Sequence, residues 1–141
     1  MEIMTDDERR TFLAEGARTA SLATVRADGR PHVAPIWFLP DGDDIVFTTW
    51  HESVKGRNLR RDPRASLSVD DPRFPFSFLV LEGTCTISEN LDELSTWTTR
   101  IAARYVPSAA AEAFGRRNAV AGELLLRLTP TRITAQRAIA V

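Results

Sequence analysis

Residues able to do chemistry concentrate between Ile45 and Val69, IVFTTWHESVKGRNLRRDPRASLSV. The pattern predicts a strand, a polar turn, a short basic helix and a second strand. Lys55, the only lysine of the protein, falls at the start of that helix. A helix N-terminus presents unpaired N–H groups and a partial positive charge, and an ammonium there adds a full one. Such a combination suits a phosphate, so the segment points to a phosphorylated cofactor or substrate. Arg57, Arg60, Arg61 and Arg64 follow. Only some of them can share one side of a helix. Two readings stand: a landing surface for an anionic tail, or a solvated face for at least two of the four.

Other reactive side chains are sparse. His32 and His51 lack metal-ligand spacing, and no Cys or His partner lies at a zinc-binding interval. There is no Ser-His-Asp arrangement, no G-x-S-x-G elbow and no Walker loop. Cys85 is the single cysteine, so it forms no internal disulfide, and its apolar strand pattern marks it as a small core residue. Trp37 and Trp50 either stack on a flat ring or fill a dimer core. Trp97 belongs to the apolar stripe of a helix.

The elements that must position these groups follow from punctuation and period. Thr5-Asp6-Asp7-Glu8 reads as a capped helix start, with Gly16 as its end. Arg18–Arg26 alternates as a strand. Asp28-Gly29 supplies the positive φ of a tight hairpin turn, and His32–Leu39 returns. Pro35 within that strand requires an edge position or a bulge. Pro40–Asp43 is a second turn and Ile45–Thr49 a third strand. Helix Ser53–Arg61 stops at Asp62-Pro63. Ala65–Val69 is a strand, Asp70–Pro75 a loop, and Phe76–Ile87 a long strand with Gly83 as a bulge or kink. Asn90–Tyr105 is a helix opened by a capping box of Asn90 and Glu93. Ser108–Arg117 is a further short helix. Gly122–Gln136 is a final strand broken near Pro130. About six strands and three or four helices give a mainly antiparallel β fold with peripheral helices, closed as a small barrel.

The chain has 141 residues, 43% hydrophobic and 26% charged, which is one ordinary domain able to bury a core. A net charge of −1 lacks the field of a general nucleic-acid binder. No nucleic-acid partner is therefore expected, despite the arginine-rich segment. The start, MEIMTDDERR, is acidic and polar where a secretory signal has a cationic start and an apolar run. No window reaches the length of a membrane span. A cytoplasmic protein without a membrane partner is the expectation.

Three strings occur in order: SLATVRADGRPHVAPIWFLPDGDDIVFTT, SVKGRNLRRDPRASLSVDD and LEGTCTI. Taken jointly, they resemble the flavin and deazaflavin proteins of the pyridoxamine 5′-phosphate oxidase-like split barrel. Within that fold they look most like actinobacterial F420-dependent reductases. The likeness runs from Thr19 to Ile87, and the final strand is compatible with it. It implies a split β-barrel formed by the whole chain as one domain, and a homodimer with cofactor sites at the subunit interface. It also implies hydride transfer between coenzyme F420 and a small conjugated organic substrate. FMN is the alternative cofactor, and a non-catalytic flavin-binding protein the alternative role.

By position, the resemblance matches Lys55 to a lysine that binds the cofactor phosphate, and Ser53 and Val54 to the turn beside it. Asn58 matches a motif position that bonds backbone or the cofactor tail. Thr48 and Thr49 match a strand end running along the cofactor. Pro35, Ile36 and Trp37 match the segment beside the tricyclic ring, and Phe76 matches an aromatic near the site. Ser53 stands where some relatives have arginine, which counts against FMN or leaves Arg57 to share the charge. No catalytic residue is implied, because the cofactor carries the chemistry. Water, His51 and a threonine hydroxyl are all open as proton sources.

Overall fold

A computed structural model describes residues 1–141. In chain order the elements are β1 (Glu2–Ile3), α1 (Asp6–Ala14), β2 (Ala20–Val25), β3 (Pro31–Ile36), β4 (Leu39–Asp41), β5 (Asp44–Trp50), α2 (Val54–Arg61), β6 (Arg64–Asp71), β7 (Ser77–Ser88), α3 (Leu91–Tyr105), α4 (Ser108–Asn118) and β8 (Glu123–Arg137). The strands form one sheet in the order β3-β2-β6-β7-β8-β5-β4, with β1 beside β8. Every pairing is antiparallel. The outermost strands β3 and β4 do not pair, so the sheet curls into a barrel that stays split.

The concave face holds the core. Leu22, Phe38, Ile45, Phe47, Leu67, Leu79, Leu81, Leu124, Leu126 and Leu128 are all buried in one cluster. Each such side chain contributes about 1.5–3 kcal/mol when taken from water. Strands β5 and β8 are covered on both faces, because α3 lies across their outer side. Val46, Leu94 and Leu125 make a second small cluster there, with Trp97 packed against it. This explains the unbroken Val-Phe and Leu-Leu-Leu runs, which alternation alone does not. Strand period assigns Ile45, Phe47 and Thr49 to the core side of β5, and Val46, Thr48 and Trp50 to the helix side.

Several expectations need adjusting. Eight strands form, not six. The predicted strand His32–Leu39 is two strands, with Trp37 and Phe38 in the connection. Pro35 sits on β3, whose only partner is β2, so the edge reading holds and no ladder donor is missing. Asp70 and Asp71 extend β6 instead of starting a loop. The final strand is not broken at Pro130. It carries a bulge there, since Glu82 faces Arg132 while Gly83 faces Pro130, which leaves Thr131 unpaired. The Thr131 hydroxyl donates to the Glu82 carbonyl at 3.1 Å and fills the gap. The capping box at α3 forms by half. Asn90 Oδ1 accepts from the Glu93 amide at 3.0 Å, but the Glu93 carboxylate takes the Ser88 hydroxyl, and the Asn90 amide donates to that same hydroxyl. Cys85 is buried, and that burial pushes its thiol up to about 12, which leaves it inert.

The C-terminal end of α3 fixes two loops. The Arg104 guanidinium donates to the carbonyls of Leu13 at 2.7 Å, Gly16 at 3.0 Å and Phe38 at 3.0 Å. The Tyr105 hydroxyl donates to the Arg18 carbonyl at 2.8 Å and accepts from the Phe38 amide at 3.1 Å. These bonds hold the connection after β3 rigidly in place, and with it Trp37.

No helix is long and apolar enough to cross a membrane.

Candidate functional site

The end of β5 delivers the chain to α2 through a turn built around Ser53. Its hydroxyl accepts from the Gly56 amide at 3.1 Å and bonds the Thr49 hydroxyl at 2.8 Å. Ser53 is thus the N-cap, and α2 begins one residue later than predicted. Gly56 permits the close approach of helix to strand: a Cβ there would lie 2.7 Å from the Trp50 carbonyl oxygen. The first-turn amides of Val54 and Lys55 have no backbone acceptor.

Beside this helix start is a cavity of about 290 Å³, lined by Pro35, Ile36, Trp37, Thr48, Lys55, Thr98, Ile101, Ala102, Asn118 and Glu123. The connection after β3, strand β5, helix α2, the α3–α4 pair and the start of β8 all contribute. Lys55 makes no ion pair within 4.0 Å, so its charge faces the cavity uncompensated at contact range. Glu123 enters from β8, where it pairs with Trp50 of β5. Burial raises its pKa, while a hydrogen bond from Thr48 and the nearby charge of Lys55 pull it back down.

Five of the expected residues therefore share one cavity: Pro35, Ile36, Trp37, Thr48 and Lys55. Trp37 is 40% exposed, but one ring face is taken. It stacks on Tyr105 at 4.9 Å with 6° between planes, and Phe114 leans on it at 6.3 Å. Only its remaining face can meet a ligand ring. Thr49 is buried on the core side, its hydroxyl tied to Ser53. Val54 is exposed beside Lys55.

Asn58 is not placed to hold a cofactor tail. It is 4% exposed and its carboxamide donates to the Thr24 hydroxyl at 3.0 Å, which ties α2 to β2. Asn58→Ala is expected to destabilise the protein by about 2 kcal/mol through the orphaned Thr24, with ligand affinity unchanged. Thermal melts and ligand titrations on the same variant separate the two effects. Phe76 lies outside the cavity, packed edge-on to Phe74 at 6.0 Å. Among the arginines, Arg60 pairs with Glu89 at 2.9 Å and Arg64 with Asp62 at 2.7 Å. Arg61 donates to the Val25 carbonyl. Of the four arginines that follow Lys55, only Arg57 is exposed without a partner.

Sequence reasoning missed Glu123, Asn118, Thr98, Ile101 and Ala102. Only Glu123 carried a signal, as a carboxylate directly before the Leu124–Leu126 run. The other four come from α3 and α4, whose pairing depends on close contact at Gly115. There the Thr98 hydroxyl donates to the Gly115 carbonyl at 2.9 Å.

The chain matches the pyridoxamine 5′-phosphate oxidase family over residues 5–137 and belongs to that family. Its fold is that family's split barrel. A conserved hypothetical protein from Mycobacterium tuberculosis is similar over 99% of this chain and 89% of its own, with 26% identity and a TM-score of 0.83. An F420 reductase shares 29% identity over 87% of this chain and 94% of its own, with a TM-score of 0.72. The haem storage protein HutZ from Vibrio cholerae shares the fold at 20% identity and a TM-score of 0.70, with 92% and 94% covered.

Proposed function

We propose that this protein is an oxidoreductase that transfers a hydride between a deazaflavin of the F420 type and a small conjugated organic substrate. The observation that carries this reading is the Lys55 ammonium at the start of α2, free of any ion pair within 4.0 Å and facing the same cavity as Pro35, Ile36, Trp37 and Thr48. Family membership and the likeness to an F420 reductase support it. The donors present fit the phosphate of such a cofactor: one ammonium, the free amides of Val54 and Lys55, and the positive end of a helix. The bound deazaflavin would supply the hydride-carrying ring carbon. The protein's task is then to grip the phosphate, align the ring along Pro35–Trp37 and hold the substrate at reacting distance.

A cavity of about 290 Å³ is at the small end for a ligand of this size. Around it Trp50, Val54 and Val120 remain exposed. A second copy of the chain would complete the walls and cover these apolar groups. A homodimer is therefore expected at micromolar concentration. Light scattering that reports only monomer would count against a shared site.

Titration of a deazaflavin cofactor, read by quenching of its fluorescence, tests the cofactor. Saturable quenching by a colourless purified protein supports the proposal. A yellow protein with flavin absorption bands would assign FMN instead. An absence of binding to either would end both readings.

A further inference from the structure

Lys55 and Glu123 face the same cavity, from α2 and from β8, with opposite charge. Resting on the reading of Lys55 as the phosphate anchor, we infer that Glu123 weighs against a doubly charged phosphomonoester more than against a singly charged phosphodiester, offsetting the gain that Lys55 alone would give the dianion. An anion bound at Lys55 must sit within the field of the Glu123 carboxylate. That repulsion grows in proportion to the charge on the anion. A phosphomonoester carries close to two charges above its second pKa near 6, and a phosphodiester carries one. The carboxylate therefore penalises the monoester about twice as strongly, in free energy, as the diester. In nucleotide-like redox cofactors this separates an FMN-type terminal phosphate from one esterified on both sides.

Apart from Lys55 itself, no charged residue lining the cavity opposes this effect. Thr98, Ile101 and Ala102 of α3 and Asn118 of α4 line the cavity without charge. On α4, Arg116 is paired with Glu112 at 2.8 Å and Arg117 lies over the Phe114 ring. His51, next to the start of β8, has Nδ1 on the Gly122 carbonyl at 3.0 Å and Nε2 3.6 Å from the Glu52 carboxylate. Arg57 is exposed and does not line the cavity. Lys55 and Glu123 are the cavity's two charged residues. Burial has already made the carboxylate short of hydration, so added negative charge is felt strongly.

FMN and its monomethyl phosphate ester share one ring and differ by one charge, so they isolate the effect. Both are titrated at pH 8 into the wild-type protein and into Glu123→Gln, Glu123→Asp and Lys55→Ala. The expectation in Glu123→Gln is a gain of about threefold for the methyl ester and about tenfold for FMN, which shifts the ratio of the two affinities about threefold toward FMN. Glu123→Asp keeps a carboxylate and should keep the wild-type ratio. Lys55→Ala should weaken both ligands. If Lys55→Ala weakens both but Glu123→Gln changes them equally or not at all, the selector is overturned and the phosphate site stands. If Glu123→Asp shifts the ratio as fully as Glu123→Gln, packing and not charge is responsible, and the selector is again overturned. If neither ligand binds in a Lys55-dependent way, the site reading fails and the selector falls with it.

Discussion

Lys55→Ala is expected to weaken deazaflavin binding by about tenfold or more, with the fold intact. A charge-assisted contact to phosphate is worth about 1.5–3 kcal/mol, and about 1.4 kcal/mol is a factor of ten in affinity. Lys55 is half-buried, so water screens part of its charge and the lower end of that range applies. The ammonium makes no ion pair within 4.0 Å, its effect on Glu123 acts only at longer range, and Ser53 caps the helix independently. Stability should therefore stay within about 0.5 kcal/mol of the wild type. Arg57→Ala is the informative partner, because Arg57 is exposed two residues further along the same helix and does not line the cavity. Its loss should matter less, and chiefly at low salt. Fluorescence titration of each variant at two salt concentrations reads both effects. Equal affinity in wild type and Lys55→Ala would remove the phosphate from this position.

The chemistry around Lys55 was legible because it depends on local features. A capped helix start, a lone ammonium and a Pro-containing edge strand are each encoded within a few residues. What the sequence hid depends on partners far along the chain. Thr48 and Thr49 read alike, yet the pleat sends one to the cavity and the other to Ser53. Which goes where is set by pairing of β5 with β8, and that pairing also turns Glu123 toward Lys55. Asn58 looks available on a basic helix until Thr24 of β2 arrives beside it. Strand β1 is two residues long and exists only because Arg137 and Gln136 lie opposite it. No local propensity marks such an element. Trp37 had the right place but not the expected freedom, since the stacking partner Tyr105 comes from the far end of α3.

Gly83→Ala is expected to destabilise the protein by about 3 kcal/mol or more, the largest loss among these variants. A Cβ at that position would sit 2.1 Å from the Thr129 carbonyl oxygen, 2.9 Å from its carbon and 3.1 Å from the Pro130 Cα. All three are backbone atoms, so no rotamer change relieves the clash. Relief requires β8 to move away from β7 at the bulge, in a pairing that runs from Phe78 opposite Gln136 to Ser88 opposite Leu125. The same strand carries Leu124, Leu126 and Leu128 into the core and Glu123 into the cavity. Displacement at the bulge thus disturbs the core on one side and the site on the other. Against a typical total stability of about 5–15 kcal/mol, the loss should lower Tm by about 10 °C. Thr84→Ala, at the exposed neighbouring position, should cost less than about 1 kcal/mol. Differential scanning calorimetry of the two variants makes the comparison, and similar Tm values for both would show that β8 yields at the bulge without resistance.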